Sequence, residues 1–211
     1  MGIRIVDSFS NVKRQIDTII ANRINKLIQR KKDRAAKEIK GLIRGWIEQQ
    51  PEVASLKAQG EFGSLNAQFG LPPGVPDIAM EAIIQALIAS VDVTFKKINP
   101  GSNKGGVEFV IKGDVILRIL NIPHGIIITE EDAPLNWLQW LLSRGNETII
   151  SGYQYVAGPR GRSGGGVMIG GSSFRVEPTS FSGTVDNNFV TRAFSGRDRQ
   201  LSKILRVLLK G

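Results

Sequence analysis

Apolar residues recur at three- and four-residue spacing early in the chain, at Val12, Ile16, Ile19, Ile20, Leu27 and Ile28, and again at Ile39, Leu42, Ile43, Trp46 and Ile47. That period predicts helix from about Ser10 to Gln50. Between the two runs, QRKKDRAAK has almost no apolar mass, so the pattern fits two helices or one long helix exposed on every side at its middle. Pro51 stands near the end, where a helix stops. One small domain cannot cover so long a stripe, and a neighbouring subunit is the expected partner.

A short helical piece is expected around 53–58, followed by GEFGSLNAQFGLPPG, where glycine and proline break any long element. Ile78, Ala82, Ile83, Ala86 and Leu87, with Pro76 in the first turn, predict an amphipathic helix over Val75–Ser90. From Val91 the period becomes two. Val91, Val93 and Phe95 alternate with Asp92, Thr94 and Lys96, and NPGSNKGG leads to VEFVIKG, which predicts a hairpin. VILRILNI and GIIIT are apolar on both faces and predict further strands, with a buried helix as the alternative for the first. Asp132 and Pro134 precede LNWLQWLLS, so a helix over 134–144 with an acidic cap is expected, with Leu135, Leu138, Leu141 and Leu142 on one face.

A second β region follows at ETIISGYQYVAG, GGGVMIGG and SSFRVEP, interrupted by a glycine-rich segment at 158–166. The chain closes on Leu201, Ile204, Leu205, Leu208 and Leu209 opposite Ser202, Lys203, Arg206 and Lys210, the pattern of a basic amphipathic helix. The expected class is α+β. An antiparallel sheet body packed by helices occupies 51–196, with a long basic helical arm at 1–50 and a C-terminal amphipathic helix at 197–211.

Composition narrows the function. None of the 211 residues is cysteine, which removes disulfides, thiolate metal sites and cysteine nucleophiles and fits a reducing interior such as a cytoplasm. The formal charge of +9 is unevenly spread. Residues 1–50 hold 12 Lys or Arg against 5 Asp or Glu, 51–191 hold 10 against 13, and the last 20 hold 6 against 1. Basic ends around a nearly neutral middle suit contact with acidic surfaces or nucleic acid, the plainer alternative being solvated helix faces. Arg4, Asp7, Lys13, Arg14 and Asp17 interrupt the first residues, so no signal peptide is expected. Apolar runs such as Val115–Leu120 fall far short of the roughly 20 residues that span a bilayer, and a soluble protein is expected.

Candidate chemistry is sparse. A Ser/His/Asp relay would have to use the single histidine, His124, in the turn-like NIPHG, where surface or capping roles are commoner. Glu130, Glu131 and Asp132 could hold a hard cation, but acidic residues just before a helix also answer its dipole. GPRGRSGGGVMIGG lacks the Lys-Ser/Thr ending of a phosphate loop and has no GxGxxG frame. Its Arg160 and Arg162 fit a mobile basic loop that orders on a partner, or a plain hairpin connection. Trp137 and Trp140 belong to an apolar ring wider than one face, so one is expected in the core and the other as an interface anchor. Phe95, Phe109, Tyr153 and Tyr155 are too scattered for an RNA-stacking sheet. No catalytic residue, metal or cofactor is expected. The expected contact residues are Arg30, Lys31, Lys32, Arg34, Trp137, Trp140, Arg160, Arg162, Leu201, Ile204, Leu205 and Leu208.

Three stretches, IRGWIEQQPEVASLKAQGEFGSLNAQFGL, PLNWLQWLLSRGNETIISGYQYVAGPRGRSGGGVMI and SGTVDNNFVTRAF, together resemble minor virion proteins of tailed phages, of the neck and tail-completion kind. The resemblance implies a non-enzymatic head-tail connection subunit, assembled in the host cytoplasm into a virion ring or collar. Its implied partners are other copies of itself and adjacent neck or tail proteins, around a channel that passes DNA. The competing expectation is a nucleic-acid-binding module using the basic N-terminal helix.

Overall fold

The computed structural model describes residues 8–102, 104–129, 132–145, 147–174, 181 and 183–210, and leaves the side chains at 107, 150, 205 and 208–210 undescribed. The protein is α+β, as the patterning predicts: a long N-terminal helix, further helices and small antiparallel sheets. Its chain divides into two compact units, each assembled from separated stretches. Unit 1 combines 1–41, 91–112 and 197–211, and unit 2 combines 42–90 and 113–196.

Helix α1 runs unbroken over Phe9–Glu48. The polar middle does not divide it, because Gln, Arg, Lys and Ala are all good helix formers and Arg34 pairs with Glu38 one turn on, at 2.9 Å. Pro51 does more than end it. Gln50 has extended backbone and Pro51 opens the next helix, α2 (Pro51–Lys57), at the position where a missing N–H costs nothing.

Unit 1 holds α1 as far as residue 41, the hairpin of β1 (Val91–Lys96) and β2 (Gly106–Ile111), and the C-terminal helix Asp198–Lys210. The hairpin is antiparallel and in register from Val91 opposite Ile111 to Lys96 opposite Gly106, with a cross-strand ion pair from Lys96 to Glu108 at 2.8 Å. Asn25 on α1 fixes the start of the hairpin loop from both sides. Its Nδ2 donates to the Ile98 carbonyl at 3.0 Å, and its Oδ1 accepts the Ile98 N–H at 2.8 Å.

Unit 2 is built on α3 (Leu65–Gln68), α4 (Val75–Ser90), α5 (Val115–Leu120), α6 (Trp137–Ser143), α7 (Phe189–Phe194) and two further strand pairs. The pairs are β3 (Ile127–Ile128) with β4 (Pro134–Leu135), and β5 (Ile150–Ala157) with β6 (Gly166–Phe174), both antiparallel. Its core gathers Ile43, Trp46, Ile47, Leu56, Leu65, Phe69, Ile83, Leu87, Trp137 and Phe189, all buried. Helix α4 has the predicted limits, but its buried face runs through Ala79, Met80, Ile83, Ile84 and Leu87 while Ile78 is exposed.

Two expectations need correction here. VILRIL is the helical alternative, with Val115 and Ile119 turned inward and the 2.7 Å pair of Arg118 with Asp114 outside. The helix expected over 134–144 starts only at Trp137, and no side chain caps it. Pro134 and Leu135 are instead strand β4. Asp132, at φ 58°, sits in the tight turn between β3 and β4, where Thr129 and Ala133 bond to one another. Proline's fixed φ suits that extended edge, and Asp is one of the few residues that tolerate positive φ. Glu130 and Glu131 lie outside the described residues.

Candidate interaction surfaces

Geometry along α1 sorts its residues into a packed side and an open side. At 100° per residue, the buried Ala21, the pinned Asn25 and the half-buried Ile28 lie roughly 150° around the helix from the centre of the row Phe9, Val12, Ile16, Ile19 and Ile20. The packing matches that division. Ala21 is fully buried, whereas Phe9 is 85%, Ile16 50%, Ile19 66% and Ile20 52% exposed. Ile16, Ile19 and Ile20 of the periodic stripe, with Phe9, are thus turned outward as an apolar row about three turns long, while Val12, Leu27 and Ile28 are half-buried.

The basic residues of the arm divide by environment. Arg30 and Arg34 are exposed, with Arg34 held by Glu38, while Lys31 and Lys32 are half-buried. Structure also redistributes the charge. Unit 1 carries 20 Lys or Arg against 7 Asp or Glu, a balance of +13, and unit 2 carries 8 against 12, a balance of −4. Grouping the hairpin at 91–112 with the two termini keeps the contrast already present along the chain, where the basic ends stand at +12 against −3 for the middle.

Trp137 and Trp140 are both core residues, and neither ring reaches the surface. Phe69 packs against both, with centroids 6.1 and 5.7 Å away, and each indole N–H donates at 2.9 Å to a backbone carbonyl, of His124 and of Glu147. The expected interface anchor is therefore absent at both positions. The wide apolar ring of α6 is explained by a core that meets the helix on several sides.

The glycine-rich segment is tied down rather than loose. Arg162 donates to the carbonyls of Gly70 and Ile128 at 2.9 and 3.1 Å, Gly60 donates to Ser163, and the Tyr155 hydroxyl bridges the Gly63 N–H and the Gly165 carbonyl. A Cβ on Gly165 would stand 2.6 Å from that of Ala67, and one on Gly166 would stand 2.3 Å from the Tyr155 ring. Glycine is required by close approach at both positions. Arg162 thus serves the fold, closing one wall of a 190 Å³ cleft beside Phe69 and Tyr153, and Arg160 remains exposed on the loop. Gly161, Ser163 and Gly165 have G-x-S-x-G spacing, yet Ser163 is buried on a hairpin loop and its Oγ accepts the Gly165 N–H. A nucleophile elbow needs a strand-to-helix turn that exposes the hydroxyl.

The segment DNNFVTRAF, which periodicity does not reveal, holds a dense polar cluster. Buried Asn188 caps α7 by accepting from Val190 and Thr191, and its amide donates to the carbonyls of Leu142, Thr184 and Val185. Thr191 completes a capping box, for which N-x-x-T was the available signal. Arg192 pairs with buried Glu52. On the surface, the Arg44 guanidinium and then the Gln85 amide hold the Glu81 carboxyl down at about 2.

In the C-terminal helix Leu201 and Ile204 are half-buried, and the side chains of Leu205 and Leu208 lie outside the described ones. His124 is exposed in a 3-10 turn. Among the described residues no three His, Asp or Glu side chains group as a metal site would, and no helix is long and apolar enough to cross a membrane. Comparison with known proteins yields no matching family model, curated protein or solved structure.

Proposed function

We propose that this chain is a structural assembly subunit of a tailed-phage virion, forming a ring or collar at the neck or tail end. The observation that carries the assembly reading is the outward apolar row of α1, Phe9, Ile16, Ile19 and Ile20. Full burial of such a side chain contributes about 1.5–3 kcal/mol, of which the half-exposed isoleucines have roughly half still to gain, so the row is a costly surface to leave in water and a natural seam between copies. The charge of the two units supports one arrangement over another. Setting unit 1 of one copy against unit 1 of the next opposes +13 with +13, whereas setting it against unit 2 opposes +13 with −4. Head-to-tail contact of that kind gives a ring when the rotation between successive copies closes. Its position in a virion rests on the resemblance of the 43–71, 134–169 and 182–194 stretches to neck and tail-completion proteins.

Mass spectrometry of purified particles from the virus encoding the chain tests this reading. Presence at a fixed copy number per particle is expected, and absence from particles that infect normally would contradict it. The second reading, DNA binding along the basic arm, is favoured by the exposure of Arg30 and by the charge of unit 1. The two are compatible where a ring surrounds DNA.

A further inference from the structure

We propose that unit 1 carries a nucleic-acid backbone site in the groove between α1 and β1, with Lys26 and Lys97 as its phosphate contacts. The groove encloses 440 Å³ and is open to solvent. Asn22, Lys26 and Gln29 line it from α1, and Phe95, Lys96 and Lys97 from the hairpin. Lys96 is already paired with Glu108, but Lys26 and Lys97 are exposed and make no ion pair with any described residue. Two cations, two flanking amides and a half-buried aromatic floor form the combination that takes a phosphate backbone with a sugar or base resting beneath it.

Local structure sets this groove in advance. The paired hydrogen bonds between Asn25 and Ile98 fasten the residue after Lys97 to the residue before Lys26, so both ammonium groups are positioned by one lock. Arg30 and Lys37 follow on the Lys26 side of α1, at i+4 and i+11, and extend a positive rim beyond the groove. Asp33, seven residues on from Lys26, is an exposed carboxylate on this same side of α1 and offsets part of the rim, while Glu38 is engaged by Arg34. The +13 balance of unit 1 supplies the long-range attraction that brings a polyanion to this face. The site needs only a single protomer and does not depend on the assembly proposed above.

The experiment titrates short fluorescein-labelled DNA, single-stranded and duplex, with the full chain by fluorescence anisotropy between about 50 and 200 mM salt. Three proteins are compared: wild type, Lys26→Ser/Lys97→Ser, and Lys203→Ser/Arg206→Ser, which removes the same charge elsewhere in unit 1. Circular dichroism melts establish that all three are folded. The groove variant should bind at least about tenfold more weakly and lose about 2 from the slope of log affinity against log salt. The control should change less than about threefold. Equal losses in both variants would show delocalised attraction and overturn the site, as would no binding of either DNA at the lowest salt. Tighter binding of polyglutamate than of DNA would also overturn it, assigning the groove to an acidic protein surface. Repeating the titration with an assembly-defective Ile16→Ser/Ile19→Ser/Ile20→Ser protein separates the two proposals, since the groove should still bind.

Discussion

Asn188 satisfies five backbone groups with one buried amide, and its replacement has a definite cost. Asn188→Ala removes a helix cap and leaves buried carbonyls without donors, for an expected loss of about 2–4 kcal/mol. A chemical denaturation midpoint within error of wild type would refute that role. Arg192→Met should cost about 3 kcal/mol, because Glu52 is then left buried with neither oxygen paired, whereas Arg160→Met should cost under about 0.5. Glu81 gives a pH signature. Its carboxyl is held at about 2 in the folded chain against 4.5 for the free group, so its contribution is present above pH about 4.5 and is lost as pH falls through about 2. The stability gap between wild type and Glu81→Gln should therefore close across that window, and a gap constant with pH would exclude the pair as its source. Apart from the N-x-x-T of the capping box, sequence could not reveal these roles. Arg162, Trp137 and Trp140 look like contact residues until the carbonyls they serve come into view, and those carbonyls arrive from 7 to 92 residues away.

At the scale of elements, the long periodic segments were the legible ones. Helices α1 and α4 and both long hairpins follow directly from spacing, because their apolar positions recur often enough to define a period. Short elements did not, since a six-residue helix such as α5 or α7 shows fewer than two turns of pattern and is specified by its caps and neighbours. Helix α6 was displaced because the proline that seemed to start it belongs to a two-residue strand. The continuity of α1 through QRKKDRAAK carries its own test. Changing Arg30, Lys31, Lys32 and Arg34 to Ser should leave the melting transition within a few degrees, since surface substitutions rarely cost more than about 0.5 kcal/mol each. If that surface faces acidic groups in the assembled particle, the same variant should fail to incorporate, while wild-type infectivity would reduce the patch to solvation.

Across the whole molecule, the α+β class was legible, but the grouping of the chain into units was not. Asn25 meeting Ile98 across 73 residues unites arm and hairpin, and no local pattern announces such a pairing. The separation of charge between the units bears on the proposed assembly, which it would make salt-sensitive. Raising ionic strength from about 0.1 to 1 M shortens the Debye length from about 10 to 3 Å and should weaken the association if opposite charges guide it. The central claim, that the outward row of α1 joins copies of this chain, is tested most directly by light scattering on size-exclusion-purified protein. Wild type should elute as one oligomeric species at two or more times 23.1 kDa, and Ile16→Ser/Ile19→Ser/Ile20→Ser should elute as a folded monomer. A wild-type monomer at high concentration, or an oligomer that the triple variant leaves intact, would contradict the account.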